Sequence, residues 1–345
     1  MRYARLADGG TVALTDVPEP SAGPGEIVVS LAACGVCGTD LEKLRGNYRS
    51  AGILGHEPVG RVARVGAGVA GVAVGDRVFV HHHVSCGQCE VCARGDPTFC
   101  PTYSRTNIDP GGFADAFRVP EENVRRGAVL PLDPTVPWEV GALLEPAGCA
   151  VTALRRVGLP TGAIVWVLGL GPVGILCARL ARALGAGWVG GSEVSPLRRS
   201  VAERGGIDAT VDPREDGAVA RAVATATHGH GVDLAIVATG HPAVVRDATR
   251  LVRRGGTVNL FGLPEAGSHL DADLQDLYLR GVRLIPSYAT TEPDIAEVQR
   301  LVVAGRLALG DLVTHRFPLA KVAEAFRLAG RPDEAVKVVV TGPAG

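Results

Sequence analysis

Two hydrophobic rhythms divide the chain. Up to about residue 150, short apolar runs are broken by glycine and proline, at 11–14, 26–31, 61–65 and 77–80. Such dense punctuation predicts short strands in a barrel-like β domain. Thereafter apolar runs alternate with helix-period segments. Strands are predicted at 164–168, 187–192, 209–211, 232–238, 256–261 and 282–286, with helices at 172–184, 196–204 and 218–227 between them. Six strands with intervening helices make a doubly wound parallel sheet. Beyond residue 287, helices at 293–304 and 319–329 lead to a strand at 335–340 with no helix after it, a strand expected to return to the first domain. The predicted division is 1–150 together with 288–345, and 151–287, joined by a helix at 146–157.

The run from Ile164 to Leu168 is apolar enough for a strand buried on both faces. Gly169, Gly171 and Gly174 follow as G-x-G-x-x-G, with Pro172 and Val173 inside the motif. The first glycine permits a sharp turn, the second lets a pyrophosphate approach the backbone, and the third lets helix and strand pack closely. The helix N-terminus presents N–H groups to the phosphate, and proline is tolerated at its first position. The next apolar run ends in Glu193, near the spacing of a carboxylate that binds an adenosine ribose. Thr239, Gly262 and Ser287 follow later strands, where ligands of such sheets bind. The alternative, a tight strand–helix turn and nothing more, lacks the acid and the flanking strand and helix.

Composition narrows the function without choosing it. The chain has 345 residues, is 46% hydrophobic and 21% charged, and carries a net charge of −1. That balance offers no electrostatic case for nucleic acid or an anionic membrane. No apolar run approaches the ~20 residues of a membrane span, and the N-terminus does not read as a signal peptide. A cytoplasmic, reducing setting is expected, which favours metal ligation over disulfides for the eight cysteines.

Four of those cysteines, Cys86, Cys89, Cys92 and Cys100, form C-x2-C-x2-C-x7-C. Four thiolates this close wrap one tetrahedral ion and leave no open position, as in a structural zinc site. An iron–sulfur cluster is the chemical rival. A second, dispersed set comprises Cys37-Gly38-Thr39-Asp40, Gly55-His56-Glu57 and Glu145-Pro146. Singly, these read as a core thiol, a turn histidine and a helix-start carboxylate. Together, one thiolate, one imidazole and one or two carboxylates suit a catalytic zinc that keeps a position open.

In the same order along nearly the whole chain, these segments, with Gly111-Gly112-Phe113-Ala114 and Lys337-Val338-Val339-Val340, resemble the zinc-dependent medium-chain dehydrogenases/reductases, the alcohol dehydrogenase superfamily, in its polyol (sorbitol-type) and threonine dehydrogenase branch. The resemblance implies a GroES-like barrel domain and a Rossmann domain with the active site between them. It implies that Cys37, His56 and Glu145 are zinc ligands, that Glu57 is an exchangeable one, and that Thr39 hydrogen-bonds the reacting alcohol. The implied reaction moves hydride between a secondary alcohol of a polyol, sugar or cyclitol and a nicotinamide cofactor. It further implies a homodimer or homotetramer assembled through the Rossmann sheet edge.

Many relatives place a histidine shortly after the threonine, where this chain has Glu42, so the outer part of the proton relay departs from the pattern. Glu193 favours NAD by repelling a 2′-phosphate; Ser192, Arg198 and Arg199 nearby make NADP the second option. Tyr48, Tyr103, Asn107, Phe113 and Tyr288 are candidate pocket residues that suit a hydroxylated substrate. His81-His82-His83 reads as strand and loop packing beside the cysteine lobe, with alternate side chains on opposite faces. Two other functions fit part of the pattern: an NADPH-dependent ketone reductase of a biosynthetic pathway, and a non-catalytic nucleotide-binding zinc protein.

Overall fold

The computed structural model describes residues 1–47 and 52–345. Its strands, in chain order, are β1 (Arg2–Ala7), β2 (Thr11–Asp16), β3 (Ile27–Gly35), β4 (Pro58–Val65), β5 (Arg77–Val80), β6 (Ala116–Val119), β7 (Val129–Pro131), β8 (Ile164–Leu168), β9 (Trp188–Ser192), β10 (Ala209–Val211), β11 (Val232–Val237), β12 (Val252–Leu260), β13 (Arg283–Pro286), β14 (Val313–Pro318) and β15 (Lys337–Thr341). β1 and β2 pair as a hairpin. β8 to β13 form a parallel sheet in the order β10-β9-β8-β11-β12-β13. The order reverses between β8 and β11, where open α/β sheets bind ligands.

A second sheet runs β14-β15-β3-β4-β5-β7, with β6 also paired to β3. β15 adds antiparallel to β3, pairing Val339 with Gly35 and Val340 with Cys34. The last strand therefore lies inside the sheet begun by β3 in the first domain, as its lack of a following helix implies. The GroES-like plus Rossmann expectation is met by these two sheets.

Most predicted elements recur within a residue or two. Helices Pro196–Arg204 and Ala218–Thr227 fall where periodicity put them; a proline at the first position marks the start of the former. Four differences have local causes. β4 begins at Pro58 rather than residue 61, because Gly60 is a true strand position: a Cβ there would collide with the Ser30 carbonyl of β3. β12 begins at Val252 rather than 256, through Arg253 and Arg254, exposed charged residues that read as loop. The helix expected at 319–329 opens with a 3-10 turn, Leu319–Lys321, before Val322–Ala329. The terminal strand starts at Lys337, not 335.

The two sheets share a core. The helix Leu144–Val157 packs against helices Pro172–Ala183 and Glu292–Val303. Its buried Leu144, Ala147, Val151 and Leu154 belong to one apolar cluster with Ala33, Val59 and Phe79 on one side and Val165, Val167 and Ile175 on the other. Burying a leucine in such a cluster is worth about 1.5–3 kcal/mol, so this helix fixes one sheet against the other. Among the described residues, no helix is long and apolar enough to cross a membrane.

Candidate functional site

Two chain segments meet at the end of β3. Cys37 follows β3 and caps the short helix Gly38–Leu44. His56 and Glu57 immediately precede β4. The register pairs Cys34 with Pro58, which brings Cys37, His56 and Glu57 together: one ligand atom of each lies within 4.8 Å of the others. Asp40 organises the cluster. Fully buried, it accepts the Cys37 N–H at 3.2 Å and the Gly55 N–H at 3.2 Å, and its Oδ1 lies 3.3 Å from His56 Nδ1. Burial alone would raise its carboxyl, but His56, Lys43 and the Gly55 N–H hold it below the ordinary range. Burial opposes charge on His56; Asp40 and Cys37 override it and raise the imidazole well above its usual value. An imidazole held between a carboxylate and a thiol attracts a cation, which takes the place of the proton when a metal binds. A carboxylate behind a ligating histidine is the usual orienting arrangement.

Glu57 is fully buried against Lys337, whose Nζ lies 2.6 Å and 2.8 Å from its two oxygens. Burial raises the Glu57 carboxyl, and Lys337 and His56 pull against it. Gly35 makes room: a Cβ there would collide with Glu57 Oε2 and crowd the Lys337 side chain. Glu145 lies outside the compact set. Nearly buried at the start of the helix Leu144–Val157, it accepts a hydrogen bond from Cys149 Sγ, one turn on, at 3.5 Å. Thr39 is half-buried on the short helix. Glu42 is taken up by Arg45 at 2.5 Å and Asn47 at 2.8 Å, a surface pairing.

The cysteine lobe is equally compact. Sγ separations are 3.6 Å for Cys89–Cys92, 3.7 Å for Cys89–Cys100 and 4.0 Å for Cys86–Cys92. Four sulfurs at ~2.3 Å from one tetrahedral zinc stand about 3.8 Å apart, so the thiols fit that ion. Backbone N–H groups of Cys86 and Cys89 donate to Cys100 and Cys86 sulfurs, both at 3.3 Å. Burial pushes the Cys100 thiol up, yet the N–H groups of Cys86, Thr102 and Tyr103 outweigh it and bring it down to about 6. A thiolate is the form a metal requires.

At the end of β8, Gly169 has φ +93°, and a Cβ on Gly174 would collide with the Gly169 carbonyl. Gly171, which caps the helix Pro172–Ala183, faces open space apart from Arg198: a Cβ there would lie 3.6 Å from that guanidinium. Arg198 is thus turned toward the glycine loop and is no solvated helix face. Arg199 is engaged elsewhere, donating to the Glu193 carbonyl at 2.5 Å and to Asp212 at 3.1 Å. Glu193, nearly buried, accepts the Ser195 N–H at 3.0 Å. Gly262 abuts Thr239, and Ser287, after β13, receives the Asn259 amide at 2.7 Å.

The expected pocket residues disperse. Tyr48 lies outside the described residues. Phe113 is core, edge-on to Phe326 at 5.3 Å. Asn107 uses its oxygen on the Ile108 N–H. Tyr103 is buried, donating to the Thr290 carbonyl at 2.9 Å. Tyr288 stays part-exposed, 6.0 Å from Phe99 of the cysteine lobe. The three histidines follow β5 and cluster: His81 and His83 both flank Tyr103, at 5.9 and 5.1 Å between ring centroids, while His82 stands 4.0 Å from His83 and 5.1 Å from His56. His82 is thus a neighbour of the donor set, with a buried Nδ1 that lacks a partner among the described residues. Asp40 and Lys337, both inside quoted motifs, and Cys149 and His82 were not singled out for roles. A carboxylate three residues after a helix cap and a lone lysine in an apolar strand were the available signals.

Burial pushes His83 down to about 4 despite its bond to the Thr106 carbonyl. The unfolded chain then binds its proton first, so stability is full above about pH 6.5 and falls as pH drops toward 4. Replacing His83 with asparagine is expected to remove about 2–3 kcal/mol of that acid-side loss. Urea unfolding at pH 7 and pH 4.5 measures it; an unchanged pH dependence would exclude His83 as its source.

Residues 23–129 match the family model described as alcohol dehydrogenase GroES-like domain, and residues 172–304 the one described as zinc-binding dehydrogenase. The chain is 33% identical to the L-threonine 3-dehydrogenase of Pyrococcus abyssi, over 96% of this chain and 95% of that protein. It is 31% identical to the sorbitol dehydrogenase of Bacillus subtilis, over 99% and 97%. Among solved structures, a zinc-binding dehydrogenase of Sinorhizobium meliloti bound to NADP superposes with a TM-score of 0.87, at 29% identity, over 99% of this chain and 98% of that one.

Proposed function

Since the chain belongs to the zinc-dependent alcohol dehydrogenase family, oxidoreductases that act on CH–OH groups with NAD(P), we propose that it oxidises a secondary alcohol of a polyol, sugar or cyclitol with NAD as acceptor. The observation that carries this reading is the convergence of Cys37, His56 and Glu57 within 4.8 Å, a thiolate–imidazole–carboxylate set that suits a catalytic zinc. Cys37, His56 and Glu57, with Glu145 beside them, would hold that ion, and Cys86, Cys89, Cys92 and Cys100 a structural one. When bound, the zinc would supply Lewis-acid polarisation and the nicotinamide would supply a hydride acceptor.

The chain's own residues do the rest. Asp40 orients His56, and Lys337 holds Glu57 in place. The Thr39 hydroxyl, two residues from Cys37, receives the substrate proton and passes it outward; Glu42, tied to Arg45 and Asn47, is left out of that relay. Gly169, Gly171, Pro172, Val173 and Gly174 cradle the pyrophosphate, with Arg198 supplying a cation over the turn. Glu193 binds the adenosine ribose, and Thr239, Gly262 and Ser287 line the strand ends toward the nicotinamide. The engagement of Arg199 by Asp212 removes one candidate for a 2′-phosphate, which favours NAD. The catalytic unit comprises 1–150 and 288–345, and the dinucleotide unit 151–287. A homodimer or homotetramer fits the exposed Leu274, Tyr278 and Leu279 beside the edge strand β13, and a cytoplasmic setting fits the eight free thiols.

Metal analysis with NAD and NADP titrations on the purified protein and on Glu145→Ala tests the reading. Two zinc ions per chain, falling toward one in the variant, with NAD bound tighter than NADP, are expected. One ion in both proteins would remove the catalytic assignment and favour a non-catalytic zinc protein. A preference for NADP would leave the metal site standing and point to a reductase; sedimentation of the same sample gives the subunit number.

A further inference from the structure

A second cleft, formed by the dinucleotide unit together with the segment 306–311, shares no residue with the glycine turn or the donor set. The C-terminal half of the helix Pro172–Ala183, the turn after helix Pro196–Arg204 and the segment 306–311 border an open cleft of about 520 Å³, a volume within the range of small-molecule sites. Four guanidinium groups line it, those of Arg179, Arg182, Arg204 and Arg306, against one lining carboxylate, Asp311.

The charges are unequally spent. Arg179, its side chain only 4% exposed, meets Asp311 through two bonds of 2.7 and 2.6 Å and the Ala308 carbonyl at 2.7 Å. That pairing holds the Asp311 carboxyl below its ordinary range. The Arg179 Nε is buried and lacks a partner among the described residues. Arg182 is shared between Asp208 and the Gly187 carbonyl. Arg204 and Arg306 hydrogen-bond only to neutral partners, the Ser200 hydroxyl at 2.7 Å and the Ala183 carbonyl at 2.9 Å, though Arg204 is near enough to Asp311 to help hold its carboxyl down. No carboxylate comes within ion-pair distance of either among the described residues. Gly205 lets the Arg179 guanidinium lie against the turn; a Cβ there would collide with it.

Like charges gathered in a concave, partly apolar cleft repel one another and focus positive potential into it. Such a field is relieved by an anion, and guanidinium forks match the oxygens of a phosphate in pairs. We propose that this cleft binds a compact polyanion bearing phosphate groups, at a site separate from that of the nicotinamide cofactor. Arg204 and Arg306 are its free recognition groups. Arg179, locked by Asp311, is the floor that keeps them in place.

The cofactor site also takes a pyrophosphate, so it must be filled first. Calorimetric titration of inorganic pyrophosphate into the protein saturated with NAD is expected to show one site whose affinity falls as salt rises. In the double variant Arg204→Ala/Arg306→Ala the same titration is expected to lose at least tenfold in affinity while NAD affinity stays unchanged, which also shows that the variant is folded. ADP and glucose 6-phosphate under the same conditions separate a nucleotide from a sugar phosphate: whichever binds tighter than pyrophosphate names the source, and pyrophosphate binding tightest assigns the site to the phosphate chemistry alone. Absence of binding by all three with the cofactor site filled, or equal affinity in the double variant, would overturn the proposal. Neither result bears on the alcohol chemistry, which the metal and cofactor titrations test separately.

Discussion

Truncating Lys337 to methionine is expected to destabilise the protein by about 3–5 kcal/mol, the usual loss when one partner of a buried ion pair is removed. Lys337 and Glu57 lie in a site closed to water, and the ammonium meets both carboxylate oxygens. Methionine fills similar space without charge, which leaves Glu57 buried beside Glu145, whose charge already pushes its carboxyl upward. The penalty therefore comes from the stranded acid rather than from lost packing. The double variant Lys337→Met/Glu57→Gln is expected to recover most of the stability, because no charge then remains unpaired. Denaturant unfolding of the three proteins at neutral pH measures both effects. A loss under about 1 kcal/mol in the single variant, or a double variant no better than the single, would show that the pair is dispensable to the fold.

Replacing His56 with alanine is expected to lower kcat by about a thousandfold or more, since under the proposed assignment the catalytic zinc would lose a ligand and its orienting partner together. Zinc content should fall from two ions per chain toward one, and NAD affinity should hold, because the glycine turn and Glu193 lie in the other sheet. Asp40→Asn provides the graded control. It keeps the shape but weakens the partner of His56 Nδ1, and second-shell changes of that kind cost about 10–100-fold in affinity or activity. An alanine variant that retains both metals would refute the assignment of His56; one that loses NAD binding as well would point to misfolding instead.

What could be read from the residues alone followed the range of the forces involved. The turn from Gly169 to Gly174 and the Cys86–Cys100 lobe are local: each closes within a few residues, so spacing already determines which groups can meet. Helix Pro196–Arg204 was legible for the same reason, with Ser195 accepting the Arg198 N–H at its start. The donor set was half legible. The order of Cys37, His56 and Glu57 was visible, but their convergence depends on the pairing of β3 with β4 and of β3 with β15. Lys337 meets Glu57 across 280 residues, and no periodicity reports a partner so distant. His82 was misplaced for a related reason. Alternation sends it away from its neighbours, but the strand ends at Val80, and the His82 ring packs 4.0 Å from His83 and 5.1 Å from His56. Phe113 departs from a pocket role for another reason: side-chain type does not distinguish a ring locked against Phe326 from one that lines a cleft.

The interior place of β15 also orders the birth of the molecule. A ribosome releases residues 1–150 long before Lys337 exists, and at about 5–20 residues per second the delay is on the order of ten seconds or more. Through that interval β3 lacks the neighbour that pairs with Ala33 to Gly35, although β4 and β6 are already available, and Glu57 lacks Lys337 beside it. The strands β8 to β13, by contrast, pair among themselves and emerge as one block. The nucleotide-binding sheet can therefore close during synthesis, whereas the sheet that carries the donor set gains β14, β15 and the Lys337 partner of Glu57 only later.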